Sequence, residues 1–254
     1  MRDIISFLTQ IPIRKEVKLE EVAAKTYLFP FAAVLIGLLV SVVAFISFRF
    51  LATGIASLLT LLAIYLISGL IHLDGVADFF DGIMARGDRS EKRKAMKDVK
   101  IGIAGLFAVI FVLLVGLFAI ETVCATTSNC DFCAFYTFAS VFIIAEVSAK
   151  ISMNTCMIVG KGFEGGSGMG ALFMRSSTGS RYVVALLSSA FIALICTIFT
   201  DPFPFFIVFT GIVVAFVVVW IAKKKFGVVS GDVIGASNEL ARCVTLLILA
   251  ILLS

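Results

Sequence analysis

Three regularly spaced aspartates are the residues of this chain best suited to chemistry. They are Asp74, Asp78 and Asp81, within the segment HLDGVADFFDG at 72–82. On an α-helix, this i, i+4, i+7 spacing puts the three carboxylates on one face, about one turn apart. Like charges so close repel one another, and a hard divalent cation with oxygen ligands would hold them together. The spacing therefore predicts a metal site, most simply for Mg²⁺, which typically binds one or two carboxylates, water and substrate phosphates.

A second interpretation of the segment is a solvated, acidic helix end whose charge is neutralised by the basic residues that follow. These are Arg86, Arg89, Lys92, Arg93, Lys94, Lys97 and Lys100. We favour the metal site because acids at membrane depth are functional by default. The basic run itself could bind phosphates, and attraction to anionic lipid headgroups explains it equally well.

Two glycines of the acidic segment and one later aspartate are further candidates for the same site. Gly75 and Gly82 each follow an aspartate, and glycine lets a phosphate or another backbone approach closely. Alternatively, both glycines break the helix. Asp98 precedes the third apolar stretch, where it could turn back towards the acidic cluster or cap the next helix.

A second polar segment, SGDVIGASNE at 230–239, precedes the last apolar stretch. Asp232 and Glu239 differ by seven positions, so a helix would put them on one face, with small residues between them. They could supply metal ligands or a general base. The alternative is an N-capped helix in which Glu239 pairs with Arg242 at i+3, and the sequence leaves both interpretations open.

Three other polar features are expected to have lesser roles. The glycine-rich segment at 160–170 lacks the G-K-[ST] ending of a P-loop, so it is either a flexible lid or an inert linker. Glu146 and Lys150, at i and i+4 within an apolar stretch, should neutralise one another. His72 stands alone, which favours a structural role over metal ligation.

The rest of the chain is too apolar for a soluble enzyme. Of its 254 residues, 61% are hydrophobic and 15% charged, and the mean hydropathy is +1.12. The apolar runs are also too continuous for an outer-membrane barrel. We therefore predict an all-α, polytopic membrane bundle forming a single domain at 1–254. Seven spans are expected, at 27–48, 53–71, 102–121, 135–158, 182–199, 205–222 and 240–254.

The positions of the basic residues predict the orientation. They precede the first span (Arg14, Lys15, Lys18, Lys25) and follow the second, fourth and sixth, whereas the loops at 124–134 and 200–204 have none. By the positive-inside tendency, the amino terminus and the acidic segment face the cytoplasm. Arg49, the exception, can extend its side chain to the interface.

Two smaller features complete the sequence-based predictions. Ile4, Phe7, Leu8 and Ile11 form one apolar face, which predicts a short helix ended by Pro12 that lies along the inner membrane surface or simply leads into the first span. Cys124, Cys130 and Cys133 fall in a predicted outer loop, where an oxidising compartment would permit one disulfide with three alternative pairings.

The ordered set of motifs resembles the cobalamin synthase family, the adenosylcobinamide-GDP ribazoletransferases. The resemblance rests on residues 72–82, followed by Arg89, by Met96-Lys97-Asp98, by Ile101-Gly102 and by Gly105. Residues 7–12, Phe29-Pro30 with Gly37, and residues 231–236 with Glu239 support it. The likeness covers nearly the whole chain and is weakest from 124 to 181.

The resemblance implies a transferase of cobalamin synthesis in the cell membrane. A hydroxyl of α-ribazole, or of its 5′-phosphate, would attack the diphosphate of adenosylcobinamide-GDP and release GMP. Mg²⁺ held by Asp74, Asp78 and Asp81 would neutralise the diphosphate, and Asp98, Asp232 or Glu239 would accept the hydroxyl proton. Gly75, Gly82, Arg89 and Asp98 are the expected substrate-binding residues. A homo-oligomer is compatible with the sequence, and no nucleic-acid partner is expected.

Two other classes of protein deserve comparison with this one. CDP-alcohol phosphotransferases and prenyltransferases also use aspartate-rich helices and Mg²⁺ on lipid substrates. The D-x-x-x-D-x-x-D order here differs from the D-G-x-x-A-R opening of the former, and no second D-x-x-x-D cluster of the latter is present. A transporter would show charges near mid-membrane and a repeat relating its halves; only Glu146 and Lys150 fit, and no repeat is evident.

Overall fold

A computed structural model of the chain describes residues 1–13, 17–127, 130–165, 168–198 and 203–254. Arg14 and Lys15, positions 166–167 of the glycine-rich segment, and residues 200–202 of a predicted outer loop lie outside the described residues. The described part is all-helical, as predicted, and its β-structure is limited to an isolated bridge between Glu164 and Val229.

Thirteen α-helices and one 3₁₀ turn make up the described chain. They are α1 (Arg2–Leu8), α2 (Leu19–Ala23), the 3₁₀ turn (Thr26–Leu28), α3 (Phe29–Phe50), α4 (Thr53–Ser68), α5 (Ile71–Met84), α6 (Arg89–Ala95), α7 (Ile103–Thr126), α8 (Asp131–Val159), α9 (Met169–Ser176), α10 (Gly179–Cys196), α11 (Phe203–Ile207), α12 (Thr210–Lys225) and α13 (Gly231–Leu253).

The described helices include six that are long and apolar enough to cross a membrane, and a seventh span if α4 and α5 are counted together. The six correspond to six of the seven predicted spans, and α4 covers most of the second predicted span. The last span differs from its prediction: α13 begins at Gly231 rather than near residue 240, because the Ser230 hydroxyl accepts the backbone N–H of Val233 and caps the helix there. The polar segment at 230–239 is therefore the first part of a transmembrane helix rather than a connection.

The second predicted span is broken. α4 ends at Gly69, whose φ of +76° suits a residue without a Cβ, and the chain turns by 95° into α5. α5 rises only about 21 Å and runs nearly at right angles to α4, so it lies outside the spanning helices. The bend gives the acidic segment a helix of its own across one end of the bundle.

α8 and α13 form the centre of the bundle and are buried along most of their length. Between them lies a network of four buried charges. Arg242 donates to Glu146 (Nε to Oε1, 2.6 Å) and to Glu239 (Nη1 to Oε1, 2.6 Å), while the Lys150 ammonium lies 3.7 Å from Glu146 and donates to Asn238 at 2.7 Å. The predicted Glu146–Lys150 pair is confirmed, but Arg242 makes the shorter contacts with Glu146.

The amino-terminal helix packs its apolar face against other parts of the protein. Ile4 and Leu8 are fully buried, and the Phe7 ring stacks on Phe173 of α9 at a centroid distance of 5.2 Å. The predicted short helix and its apolar face are therefore confirmed, and its position along the membrane surface stays a prediction. The helix ends before Pro12: the backbone is extended at Thr9, and Gln10 donates its N–H to the Ile67 carbonyl at the end of α4 (2.7 Å).

None of the six cysteines, all of which lie in the described residues, forms a disulfide. Cys124 is buried within α7 instead of in an outer loop.

Arg49, the one predicted exception to the distribution of basic residues, has a partner at this same end of the bundle. It forms an ion pair with Asp131 at 3.2 Å.

The beginning of the glycine-rich segment is held to the α12–α13 connection. Gly165 donates its N–H to the Val229 carbonyl (3.0 Å), and Val229 donates to Phe163 (2.7 Å). Residues 163–165 therefore form a fixed wall beside the start of α13, which is not expected of a freely moving lid.

Candidate active site

The acidic helix α5 is held against the start of α13 by a glycine contact. A Cβ on Gly75 would lie 2.7 Å from the Asp232 carbonyl oxygen and 3.1 Å from the Ala236 nitrogen. The prediction of a close backbone approach at Gly75 is thus confirmed, with α13 as the neighbour, and the alternative that the glycine breaks the helix is wrong. The contact brings Asp232 to the aspartates of α5.

Two of the three aspartates are free to bind something else. Asp74 is exposed and Asp78 half-buried, and neither has a hydrogen bond or ion pair with another described residue. Partial burial, followed by the nearby carboxylates of Asp232, Asp74 and Asp81, raises the pKa of Asp78 to about 7. These four acids therefore form one repulsive cluster, which a bound cation would stabilise.

Asp81 has a different role, because both of its carboxylate oxygens accept backbone amides at the start of α7. The N–H of Gly102 donates to Oδ2 at 2.7 Å, and the N–H of Gly105 donates to Oδ1 at 2.8 Å. A carboxylate here also suits the positive end of the helix dipole. The expectation that Asp98 caps this helix is wrong, since Asp98 accepts the N–H of Lys100 instead.

The α5–α7 contact leads to a testable prediction, because it requires glycine at position 105. A Cβ there would lie 2.5 Å from the Asp81 carboxylate and 2.7 Å from the Ala77 carbonyl oxygen. We expect Gly105→Ala to reduce the free energy of unfolding by about 1–3 kcal/mol, the usual cost of overpacking. Thermal unfolding of the purified protein in detergent measures this.

Gly116→Ala is the matched control on the same helix. A Cβ at Gly116 meets only a Leu61 methyl group at 3.5 Å, an ordinary contact, so this variant should unfold like the wild type or at slightly higher temperature. Equal stability of the two variants would show that the Asp81 cap does not hold α7 against α5.

The other predicted binding residues lie around the carboxyl end of α5. Gly82 is buried beneath Met96 and Phe226, within an unbroken helix, so it serves packing. Arg89 begins α6 and lies exposed, with its side chain against Gly227. Arg89 has no ion pair with an aspartate of the cluster among the described residues, and the roles of Gly82 and Arg89 in substrate binding stay predictions.

Asp232 borders two cavities, of which one alone has basic side chains in its lining. One, of about 120 Å³, has mainly apolar walls that include Phe7, Met153 and Phe173. The other, of about 230 Å³, has the basic side chains of Arg93 and Lys97 beside it. Asp232 is half-buried and accepts a hydrogen bond from Ser230 (3.1 Å), which fixes its carboxylate between the two spaces.

One cation of the basic cavity, Arg93, is held in place by the fold. Arg93 donates to the Phe226 carbonyl at 2.7 Å, and α6 begins with a capping box between Asp88 and Glu91. These contacts hold α6 beside the acidic cluster. Cations next to carboxylates are the arrangement expected where a metal and a phosphate group bind together.

Glu239 is separated from this site by burial. It is 1% exposed, accepts both Arg242 contacts within 2.7 Å, and receives further hydrogen bonds from Asn238 and Tyr65. The interpretation that Glu239 pairs with Arg242 is confirmed. Although Asp232 and Glu239 are seven residues apart on one helix, Asp232 belongs to the acidic cluster and Glu239 to the buried charge network. Glu239 therefore has no carboxylate oxygen available to a substrate.

The residues present suit Mg²⁺, although not in the predicted arrangement. Within the described ranges, no three His, Cys, Asp or Glu side chains are grouped closely enough to enclose a metal ion alone. Mg²⁺ needs only one or two carboxylates when substrate phosphates and water complete its shell. The unpartnered Asp74 and Asp78, with Asp232 beside them, meet that requirement.

Sequence reasoning missed two features of the site. Arg93 and Lys97 belong to a basic run to which it assigned no specific role, because seven cations within 15 positions give no sign of which face the acids. It also missed the hydrogen bonds that the start of α7 donates to Asp81. The signal available in the sequence was the pair of glycines, Gly102 and Gly105, three residues apart at the start of a helix.

Fold and site together define a polytopic helical membrane protein with an acidic cluster beside a basic cavity at one end of its bundle. The family model of cobalamin-5-phosphate synthase matches residues 1–250. The chain belongs to this family.

Relatives of similar length support the assignment. An adenosylcobinamide-GDP ribazoletransferase of Pyrococcus abyssi is 36% identical, over 98% of this chain and 97% of its own. Proteins of the same name from Methanococcoides burtonii and Pyrococcus furiosus are 32% and 33% identical, over 99% of this chain and 91% and 99% of theirs. No solved structure matches the chain.

Proposed function

We propose that this protein is an adenosylcobinamide-GDP ribazoletransferase that requires Mg²⁺. A hydroxyl of α-ribazole, or of its 5′-phosphate, attacks the cobinamide-bound phosphorus of adenosylcobinamide-GDP. A new P–O bond forms, the P–O–P bridge breaks, and GMP leaves. The full-length relatives of that name support the reaction, and the residues below support its chemistry.

The position of Asp232 carries the assignment of roles. Its carboxylate borders both cavities and lies beside Asp78, so a hydroxyl held there would meet a proton acceptor and the diphosphate together. Arg93 and Lys97 bind the phosphate oxygens from the basic cavity. Asp232 takes the hydroxyl proton as the P–O bond forms.

Asp74 and Asp78 are the metal ligands in this proposal, with Asp232 adjacent. A bound Mg²⁺ supplies charge neutralisation for the diphosphate and for the leaving GMP. Asp81 keeps α7 and α5 in register beneath the cluster, so its carboxylate contributes mainly by positioning. Direct ligation by Asp81 stays a prediction, since each carboxylate oxygen has a second lone pair.

The proposal includes a location in the cell membrane, with the amino terminus and the active site facing the cytoplasm. The charge distribution along the chain supports this orientation. Water-soluble nucleotide substrates would then reach the site from the cytoplasmic side.

Purified protein in liposomes, supplied with adenosylcobinamide-GDP, α-ribazole and Mg²⁺, tests the function through release of GMP. We expect release that stops with a chelator and resumes when Mg²⁺ is restored. Absence of product with both α-ribazole and its 5′-phosphate would contradict the proposal and favour a lipid-directed transferase.

A further inference from the structure

The apolar cavity beside Asp232 is a space that the reaction chemistry leaves unassigned. It lies where α1, α5, α8, α9 and α13 meet, with Phe7, Met157 and Phe173 among its walls. Its volume of about 120 Å³ compares with the roughly 150 Å³ of an engineered apolar cavity that binds benzene. It can therefore hold a small aromatic ring system and is far too small for a corrin ring.

One polar side chain in this wall has no partner. His72 is 6% exposed, and its Nδ1 atom is buried without a hydrogen bond to any described residue. A buried polar atom left unpaired costs about 1–3 kcal/mol, so an unpartnered ring nitrogen needs an explanation.

We propose that this cavity binds the flat heteroaromatic base of the nucleoside substrate, and that the His72 ring forms a hydrogen bond with the base's free ring nitrogen. The inference rests on the proposed function, which supplies the class of nucleoside. An imidazole has at least one N–H donor, which suits a base nitrogen that can only accept.

The walls favour such a base over the guanine of the other substrate. Phe7 and Phe173 are stacked at the cavity edge, and Met153 and Met157 are adaptable, polarisable neighbours for an aromatic face. Guanine has several donors and acceptors that this wall would leave unpaired. A base with one free nitrogen matches the single unpartnered imidazole.

The location also suits the chemistry. Asp232 separates the apolar cavity from the basic one, so a ribose attached to a base in the first cavity extends towards the phosphates in the second. The base is thereby held while the sugar hydroxyl meets the diphosphate, and the cavity acts as a specificity subsite for the attacking nucleoside.

Filling the cavity tests the location of the base. A Cβ on Gly231, the first residue of α13 and part of the cavity wall, meets no atom closer than 3.8 Å, so Gly231→Leu introduces bulk without a backbone clash. We expect the Kd for α-ribazole, and for its 5′-phosphate, to rise roughly 10- to 100-fold, the loss expected when an aromatic group is no longer buried. Calorimetric titration of the reconstituted full chain measures this without the second substrate.

Gly179→Leu is the matched control. Gly179 is the first residue of α10, has no atom within 4 Å of its added Cβ, and borders neither cavity. Its nucleoside Kd should equal that of the wild type. An unchanged Kd and KM for the nucleoside in Gly231→Leu would overturn the proposal.

A base analogue tests His72. An α-ribosyl indole has carbon in place of the free ring nitrogen, and the wild type should bind it about tenfold more weakly than the benzimidazole nucleoside. His72→Leu should bind the two nucleosides equally, an effect that general destabilisation would not produce. Equal binding by the wild type would overturn the role of His72.

The subsite and the proposed function can fail separately. Normal GMP release with unchanged nucleoside affinity in Gly231→Leu would leave the function intact and remove the subsite. Selective nucleoside binding that Gly231→Leu abolishes, without GMP release by the wild type, would leave the subsite and remove the function.

Discussion

Asp78→Asn should reduce Mg²⁺-dependent GMP release about 100- to 1000-fold while leaving the protein folded. Asp78 has no bond to another described residue, so removing its charge breaks no internal contact. It lies in the repulsive cluster with Asp74 and Asp232. Removing one negative charge reduces the repulsion in the metal-free protein and lowers the affinity of the site for Mg²⁺. Initial rates at several Mg²⁺ concentrations, with thermal unfolding of the same samples, provide the measurement. Asp74→Asn should behave in the same way.

Asp131→Asn is the control for this prediction. This variant has the same aspartate-to-asparagine substitution at the opposite end of the bundle. The exposed ion pair between Asp131 and Arg49 is worth at most about 1 kcal/mol, so the enzymatic activity should be unchanged. Wild-type turnover in both Asp78→Asn and Asp74→Asn would refute the metal site.

Asp81→Asn separates positioning from ligation. An asparagine oxygen can replace only one of the two carboxylate acceptors, so we expect this variant to unfold more readily than Asp78→Asn. A stable Asp81→Asn protein with an altered Mg²⁺ requirement would instead make Asp81 a ligand.

Arg242→Met should destabilise the protein by about 3–5 kcal/mol, the largest change in stability that we expect of a single substitution. Arg242 is 3% exposed and lies between Glu146 and Glu239, to which it donates four hydrogen bonds of 2.6–3.2 Å. Its removal leaves two buried carboxylates with Lys150 as the only cation of the network, an uncompensated charge of the kind that buried ion pairs do not tolerate. Unfolding in a detergent series measures the difference.

Arg49→Met is the control for the buried network. It removes the same side chain from an ion pair whose partners are 44% and 64% exposed, where water replaces the lost contact, so the loss should be below about 1 kcal/mol. Similar stability of the Arg242→Met and Arg49→Met proteins would show that the network adds little to the folded state.

The sequence predicted the helical bundle and the chemically important acids well, for identifiable reasons. Long apolar runs admit few structures in a bilayer, so the all-α class and the number of spans followed from composition and length. The i, i+4, i+7 spacing correctly placed Asp74, Asp78 and Asp81 on one helix, because helical periodicity is local. Asp232 was chosen by the same argument, and the contact at Gly75 brings it to α5.

Local spacing misled the interpretation where partners come from distant parts of the chain. Glu239 shares a helix with Asp232, but Arg242 and the distant Tyr65 engage its carboxylate. Asp81 shares a helix face with Asp78, but the amides of α7, more than 20 residues away, occupy its oxygens. A sequence predicts which face of its own helix a side chain occupies. It does not predict which other helix packs against that face.

The amino-acid sequence by itself determined the membrane bundle, the acidic helix and, through its ordered motifs, the family. Only the tertiary structure decided which acids stay unpartnered, that Asp232 separates an apolar cavity from a basic one, and that His72 lacks a partner. The physical reason is range: periodicity and hydrophobicity act within one helix, whereas burial and hydrogen bonding depend on how the helices pack against each other.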